Sequence, residues 1–361
     1  MISKGFYDSL EAIAEERSLD IEKVLAKVEV AMQVACKNTD VPYKGTIKLD
    51  ADLEKKKIRF FNYYYVVEEV DPEGPRGQIT LEEALKIKPK AKIGQEIKEE
   101  IDLAKFKRKA ASMFRQNLLG ELKGLEREEA FDFFNDKVGE IITAKVVAVN
   151  DKFITFYLGK GMDATMGYKD ALPNETFNIN EEKKVYLAKV EKTTKGPRIY
   201  ISRSSKEMVK KLFEMYIPEI SSGLIEIMGI AREAGSRTKI GVMSVNGDLD
   251  PKGACVGNGG ARIKAINQIL NGEKIDIFEW KDNPVDLIAQ AMTPAKVVSV
   301  VIDEQEKKAL AIVNDDQFSL AIGKGGQNVK LAAFAIGWRI DIKKLSEAYL
   351  EGIDFKYNVN C

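Results

Sequence analysis

The chain has 361 residues, 45% of them hydrophobic, and its 56 basic side chains are matched by 56 acidic ones. A balanced net charge supplies no general pull toward nucleic acid, so any such surface has to be built locally. Histidine is absent and the three cysteines, Cys36, Cys255 and Cys361, are scattered, which removes Ser-His-Asp and Cys-His chemistry, histidine or four-thiolate zinc sites, and a disulfide framework.

No run approaches the roughly 20 apolar residues that span a bilayer. Met1–Leu10 has no apolar core of the signal-peptide kind. A cytoplasmic protein without membrane contact is expected. The first 37 residues read as two helices. Phe6, Leu10 and Ile13 form one stripe, Ile21, Val24, Leu25, Val28 and Met32 another, and Asp20 is placed to cap the second. Residues 45–70 switch to strand signals, with Ile47 and Leu49 alternating and Ile58–Val70 rich in aromatic and β-branched residues. Asp71-Pro-Glu-Gly-Pro-Arg-Gly is a turn, and Leu81–Ile87 a short helix. From about Asp102 to Lys137 the period is helical again, roughly 50 Å if unbroken, although Gly120 and Gly124 weaken it. The runs Glu54-Lys-Lys-Lys and Lys105–Lys109 read as solvated faces.

From Val138 the period becomes two. Ile142, Ala144, Val146 and Ala148 alternate with Thr143, Lys145, Val147 and Val149, and strands follow at Phe153–Leu158, Val185–Val190 and Arg198–Ile201. Short strands at even spacing indicate a small all-β barrel. Ile154, Phe156 and Leu158 are assigned to its core. Phe153, Thr155 and Tyr157 lie on the opposite face. A helix, Lys206–Ile217, stops at Pro218, and mixed strands and helices then run to about Leu345.

The chain repeats itself over this last stretch. Ala254-Cys-Val-Gly-Asn-Gly-Gly-Ala-Arg-Ile-Lys-Ala-Ile matches Leu320-Ala-Ile-Gly-Lys-Gly-Gly-Gln-Asn-Val-Lys-Leu-Ala at an offset of 66 residues. Each unit reads helix, strand, strand, short helix, glycine turn, helix, strand. The second spans Pro284–Met292, Lys296–Ile302, Ala309–Val313, Asp316–Ile322, Gly323–Gly326, Gln327–Ile336 and Trp338–Ile342. A helix–Gly-x-x-Gly–helix between strands is the signature of KH modules, in the type II order, which hold single-stranded nucleic acid by its backbone. The glycines remove Cβ atoms from the approach, and the next helix presents its positive end to phosphate. Two glycine turns in register make a mere pair of tight turns a poor alternative. A dinucleotide loop lacks its third glycine, since Arg262 and Asn328 stand there, and the Lys-Ser/Thr of a Walker loop is missing too.

At this point the chain resembles the NusA family. The likeness is close over 232–345, in Ala231-Arg-Glu-Ala-Gly-Ser-Arg-Thr-Lys-Ile, Asp250-Pro-Lys-Gly-Ala-Cys-Val-Gly, Gly272-Glu-Lys-Ile-Asp-Ile, Pro294-Ala-Lys-Val-Val-Ser-Val-Val and Asp315-Asp-Gln-Phe-Ser-Leu-Ala-Ile-Gly-Lys-Gly-Gly-Gln-Asn-Val. Val138-Gly-Glu-Ile and Lys192-Thr-Thr-Lys-Gly-Pro-Arg-Ile resemble the family's S1 barrel. Ile79-Thr-Leu-Glu-Glu-Ala and the order of elements more weakly resemble its polymerase-binding domain, and the run Asn62-Tyr-Tyr-Tyr lies in this weakly matched part.

The fold class expected is multidomain: an α+β N-terminal domain (1–137) with a long exit helix, an all-β OB-like S1 barrel (138–205), two tandem α/β type II KH domains (206–282 and 283–345) and a tail (346–361). The resemblance implies a factor that binds RNA polymerase and emerging single-stranded RNA, modulates pausing, termination and antitermination, and works beside other antitermination factors. No cofactor and no metal are expected, and a monomer suffices. The residues expected at RNA are Gly257, Asn258, Gly259, Gly260, Arg262 and Lys264 in the first unit, and Gly323, Lys324, Gly325, Gly326, Gln327, Asn328 and Lys330 in the second. Arg237, Lys239 and Arg339 are candidates for phosphate, with a solvated role nearly as good. Phe153, Tyr157 and Tyr168 are candidates for stacking bases, evenly weighed against packing under a loop. Trp338 and Cys255 read as core. Two rivals stay open: a nuclease or nucleotidyltransferase carrying KH and S1 modules, as polynucleotide phosphorylases do, and a ribosome-associated protein without polymerase contact. The first would need a separate catalytic core with clustered acidic ligands, and only 1–137 is left to hold one.

Overall fold

The computed structural model describes residues 4–37, 45–103, 106, 108–173 and 175–359. Cys361 and two members of the Lys105–Lys109 run, Lys105 and Lys107, lie outside them. The chain forms two units, Met1–Phe133 with Lys192–Pro197, and Phe134–Glu191 with Arg198–Cys361.

In the first unit, α1 (Lys4–Glu16) and α2 (Ile21–Lys37) follow the two apolar stripes. Asp20 caps α2, its carboxylate accepting from the Glu22 N–H at 2.7 Å, which satisfies one of the orphan amides of the first turn. The helices cover β1 (Thr46–Asp52) and one end of β2 (Lys57–Val67), with Leu10, Val24, Val28, Ile47, Ile58 and Phe60 buried together. β2 also pairs with β3 (Gln78–Thr80) in parallel and β4 (Glu96–Glu100) antiparallel. Strand alternation splits the tyrosine run. Tyr64 is buried with Val66, Ile79 and Ile97, while Tyr65 is exposed and the Lys48 ammonium lies 4.6 Å from the Tyr63 ring centre. The string Ile79-Thr-Leu-Glu-Glu-Ala is a capping box. Thr80 Oγ accepts from Glu83 N–H and the Glu83 carboxylate from Thr80 N–H, opening α3 (Leu81–Ile87).

The long helix, α4, runs Arg108–Asn135, about 42 Å at 1.5 Å per residue. Gly120 and Gly124 do not break it. A Cβ at either would meet open space, and Leu118, Leu122 and Leu125 anchor the opposite side in the core. The helix begins later than its periodicity suggests, because Ile101, Leu103 and Phe106 pack into that core ahead of it.

In the second unit, β5 (Ile141–Val149), β6 (Phe153–Gly159), β7 (Met162–Gly167), β8 (Glu182–Thr193) and β9 (Gly196–Ser202) form a five-stranded barrel-like sheet in the order β7-β6-β5-β8-β9. Ala144, Val146, Ile154, Phe156, Val185 and Leu187 fill it. Ala148 departs from the alternation. The pairing of β5 with β6 slips between Val146 and Ala148, so a one-residue bulge turns Ala148 outward.

Two matching modules follow. The first comprises α5 (Lys206–Tyr216), α6 (Pro218–Ser221), β10 (Ile225–Glu233), β11 (Arg237–Ser244), α7 (Pro251–Val256), α8 (Ala261–Ile269) and β12 (Lys274–Glu279). The second comprises α9 (Pro284–Ala291), β13 (Val297–Asp303), β14 (Lys308–Val313), α10 (Phe318–Ile322), α11 (Gln327–Ile336) and β15 (Arg339–Lys344), followed by α12 (Leu345–Leu350). In each three-stranded sheet the central strand pairs antiparallel with the first and parallel with the last, the type II KH arrangement.

The modules of this unit are locked by buried charge. Arg203 and Glu175 are almost fully buried and meet through two hydrogen bonds of 2.7 and 2.6 Å. The same guanidinium donates to the carbonyls of Lys184 in the barrel and Ile269 in the first KH module. Arg232 and Glu273 form a second such pair, and Glu273 also accepts from Gly235 N–H at 2.8 Å and Thr238 Oγ at 2.5 Å. Pairs this well bonded are costly to break, since removing one member strands the other charge in the interior. The two KH modules share a core, in which Ala231 and Phe278 of the first are buried with Leu331, Ala332 and Ala335 of α11. Gly229 permits this approach. A Cβ there would lie 2.2 Å from the Ala335 carbonyl oxygen.

Candidate nucleic-acid interface

The two glycine loops have the same backbone. Gly257 and Gly323 sit at φ/ψ of 73/173° and 75/172°. Gly259 and Gly325 sit at 58/18° and 60/25°, and Gly260 and Gly326 at 75/18° and 79/14°. Three of four positions in each loop are thus in regions that side chains with a Cβ adopt reluctantly. Crowding adds to this at the first glycine. A Cβ on Gly257 would lie 2.8 Å from Arg262 Cγ, and one on Gly323 2.8 Å from the Asn328 backbone nitrogen. At Gly259 and Gly325 the same test meets nothing within 4 Å, so the loop crests are open to an approaching backbone.

Each crest stands at the start of a helix, α8 or α11, whose N-cap is a left-handed glycine with no side-chain cap. The first amide of each helix donates back to the crest, Ala261 N–H to the Asn258 carbonyl and Gln327 N–H to the Lys324 carbonyl, and the positive end of the helix lies behind the loop. One lysine per module leans over the loop. Lys264 Nζ donates to the Gly259 carbonyl at 2.9 Å and Lys330 Nζ to the Gly325 carbonyl at 3.3 Å. Both side chains are exposed, as are Asn258 and Lys324 at the crests. The repeat read in the sequence is therefore a repeat of loop conformation, with its flanking lysine.

Several other candidates are engaged by groups of the protein itself. Asn328 is buried and its amide donates to the carbonyls of Met292 and Ala321, both at 3.0 Å. Its counterpart Arg262 bonds Glu219 at 2.8 Å and the Ala254 carbonyl at 2.6 Å. Both hold the short helix before the loop against the helix after it. Gln327 donates to Glu233 and Ser236 of the first module. Lys239 is fully buried, donating to the Thr293 carbonyl at 2.5 Å with Asp276 at 3.5 Å. Burial pushes its ammonium down to about 8, against the opposing pull of Asp276. Arg237 pairs with Asp276 at 2.8 Å. Arg339 remains exposed. Cys255 is buried, which pushes its thiol up to about 12, and Trp338 is half-buried beside the second core.

The three barrel aromatics are 40–45% exposed. Phe153 and Tyr157 project from the outer face of β6, with Ile154 and Phe156 fully buried behind them. Tyr168, just past β7, donates to the Asn150 carbonyl at 2.9 Å. That carbonyl belongs to the turn preceding Phe153, where Asn150 Oδ1 accepts from Phe153 N–H at 3.0 Å. Tyr168 is thus tied down by its hydroxyl, and all three rings keep substantial exposed surface.

An OB-like barrel tied through Arg203 to paired type II KH modules defines a modular nucleic-acid-binding protein of the RNA-holding kind. Three family models match in series: the NusA N-terminal domain over residues 5–128, the NusA-like first KH domain over 203–280 and the NusA-like second KH domain over 284–349. The chain is 39% identical to the transcription termination/antitermination protein NusA of Bacillus subtilis, across 98% of this chain and 94% of that one. It is 40% identical to that of Halalkalibacterium halodurans, covering 98% and 91%, and 34% identical to that of Thermus thermophilus, covering 98% and 92%. The chain belongs to the NusA family. Among its described residues no helix is long and apolar enough to cross a membrane.

Proposed function

We propose that this protein is a cytoplasmic, monomeric transcription factor that docks on RNA polymerase through residues 1–137 and holds emerging single-stranded RNA along the barrel (138–205) and the KH modules (206–282 and 283–345). It thereby modulates pausing, termination and antitermination, in company with other antitermination factors. It acts by binding and carries no chemistry. The observation that carries this reading is the pair of glycine loops with one shared backbone conformation, each open at the crest, lysine-flanked and set at the start of a helix. Membership in a family named for termination and antitermination supplies the process.

The test separates the two halves. The full chain should capture RNA polymerase in the absence of RNA, and a 138–361 chain should lose that capture and its effect on pausing while keeping most RNA affinity. A 138–361 chain that alters pausing as the full chain does would remove the docking role. RNA binding without polymerase capture by the full chain would leave an RNA-binding protein of another process.

A further inference from the structure

The second KH module carries an exposed aromatic ring where the first has a polar side chain. At the corner where α11 ends and β15 begins, a cleft of about 800 Å³ opens between the helix, the strand and the β13–β14 turn. Phe334 stands in it 78% exposed, in a helix whose other apolar side chains are mostly buried. Lys307, Lys308, Lys330 and Arg339 line the same cleft. Glu306 is the acidic residue among the lining, and it is paired with Lys308. An exposed ring ringed by cations gains nothing in folding that a polar residue would not supply, and it matches the two chemistries of an unpaired nucleotide, a π-face and a phosphate.

The repeat offers an internal control. At the offset of 66, Phe334 corresponds to Gln268. The first module matches the cations in part: Arg237, held by Asp276, stands where Lys308 does, Lys264 where Lys330 does and the exposed Lys274 where Arg339 does. The ring is therefore the addition to one module, set on cations that both modules share. Phe334 lies eight residues beyond Gly326, about 12 Å along α11, with Lys330 on the same face between them. The cations form a track from the loop to the ring.

We infer that this corner is a subsite for one unpaired RNA nucleotide, its base stacked on Phe334 and its phosphate held by Lys307 and Arg339, extending the path of the strand beyond the Gly323 loop. The inference rests on the RNA-holding role proposed above, and the experiment distinguishes the two. The full chain is titrated with an unstructured single-stranded RNA oligonucleotide. Phe334→Ala is expected to weaken binding about fivefold to a hundredfold, the range for one stacked base, with an unchanged melting temperature because the ring is exposed. Phe334→Trp should retain affinity, and the fluorescence it adds to the parent's should be quenched by RNA. Arg339→Gln should lower the slope of log affinity against log salt by about 0.7. Parent-like affinity in Phe334→Ala, with Lys324→Asp weakened, overturns the subsite alone. Parent-like affinity in both overturns the RNA role and the subsite with it. A Phe334→Ala protein that binds RNA normally but captures less polymerase shows a protein occupant and also overturns the inference.

Discussion

Changing Asn258 and Lys324 together to aspartate tests the loops at their least strained positions. Both residues are exposed at the loop crests and neither is at positive φ, so the backbone has no reason to move. The first change adds one negative charge; the second removes a positive charge and adds a negative one. With a phosphate about 5 Å away and water-like screening, each unit of charge costs about 0.8 kcal/mol. The three together come to about 2.5 kcal/mol, a loss of affinity of roughly fiftyfold to a hundredfold. Adding Gly259→Asp and Gly325→Asp should deepen the loss. Those glycines are left-handed, however, so part of any fall in stability there is backbone strain; aspartate is among the side chains that tolerate this region best. The assay is single-stranded RNA binding by fluorescence anisotropy across a salt series, beside a circular-dichroism melt. The parent should lose affinity as salt rises, and the double variant should show a shallower slope, by about 0.7 for the lost lysine contact. Unchanged affinity and slope in the double and quadruple variants, with the melt intact, would refute the assignment of RNA to these loops.

Phe153→Ala and Tyr157→Ala should each weaken single-stranded RNA binding by about 1–3 kcal/mol while leaving the melt nearly in place; a large fall in melting temperature with normal RNA affinity would make the rings structural. Lys239 sets a pH dependence. Its pKa falls from 10.5 to about 8 on folding because of burial, so the native state binds fewer protons between those values and stability rises with pH across the window. Urea unfolding of the parent should gain up to about 3 kcal/mol relative to Lys239→Met between pH 7.5 and 10.5, and a difference that stays flat over that range would show that the amine is not desolvated.

Local signals in the sequence were strong where one element packs on one neighbour. Leu81–Ile87 carries its own capping box, and the inner row of β6 is fixed by alternation because Ile154 and Phe156 face a single core. Signals failed where a second layer or a paired strand decides. β4 holds four charged residues around Ile97 and has no apolar period of its own. It is a strand because β2 offers it an edge and Ile97 a pocket. β7 was missed for a similar reason, as Met-Asp-Ala-Thr-Met-Gly is weakly β-prone and borrows its pairing from β6. Lys239 reads in the sequence as a charge ahead of the strand, free to meet phosphate or solvent. β11 is in fact covered on both faces, by its own helices at Ile240 and Val242 and by the second module at Lys239. Asn328 illustrates the same limit within the candidate site. Lys330, two residues on, reaches back to the loop crest, yet the Asn328 side chain points inward to tie two helices, as Arg262 does by other chemistry in the first copy.

The glycine at position 229 has a consequence for what the protein measures. By letting α11 lie directly on β10, it replaces a hinge with a solid spacer, so the two loop crests are held at one separation and one mutual angle. Two gripping points on a flexible tether tolerate any slack between them, and their joint affinity varies smoothly with tether length. Two points on a rigid block act as a gauge. Under the RNA-holding role proposed above, a strand reaches both crests only when enough consecutive nucleotides between them are unpaired, and a hairpin that begins to close inside that stretch pulls free of one crest at once. Enlarging residue 229 would loosen the block and turn a sharp length threshold into a gradual one.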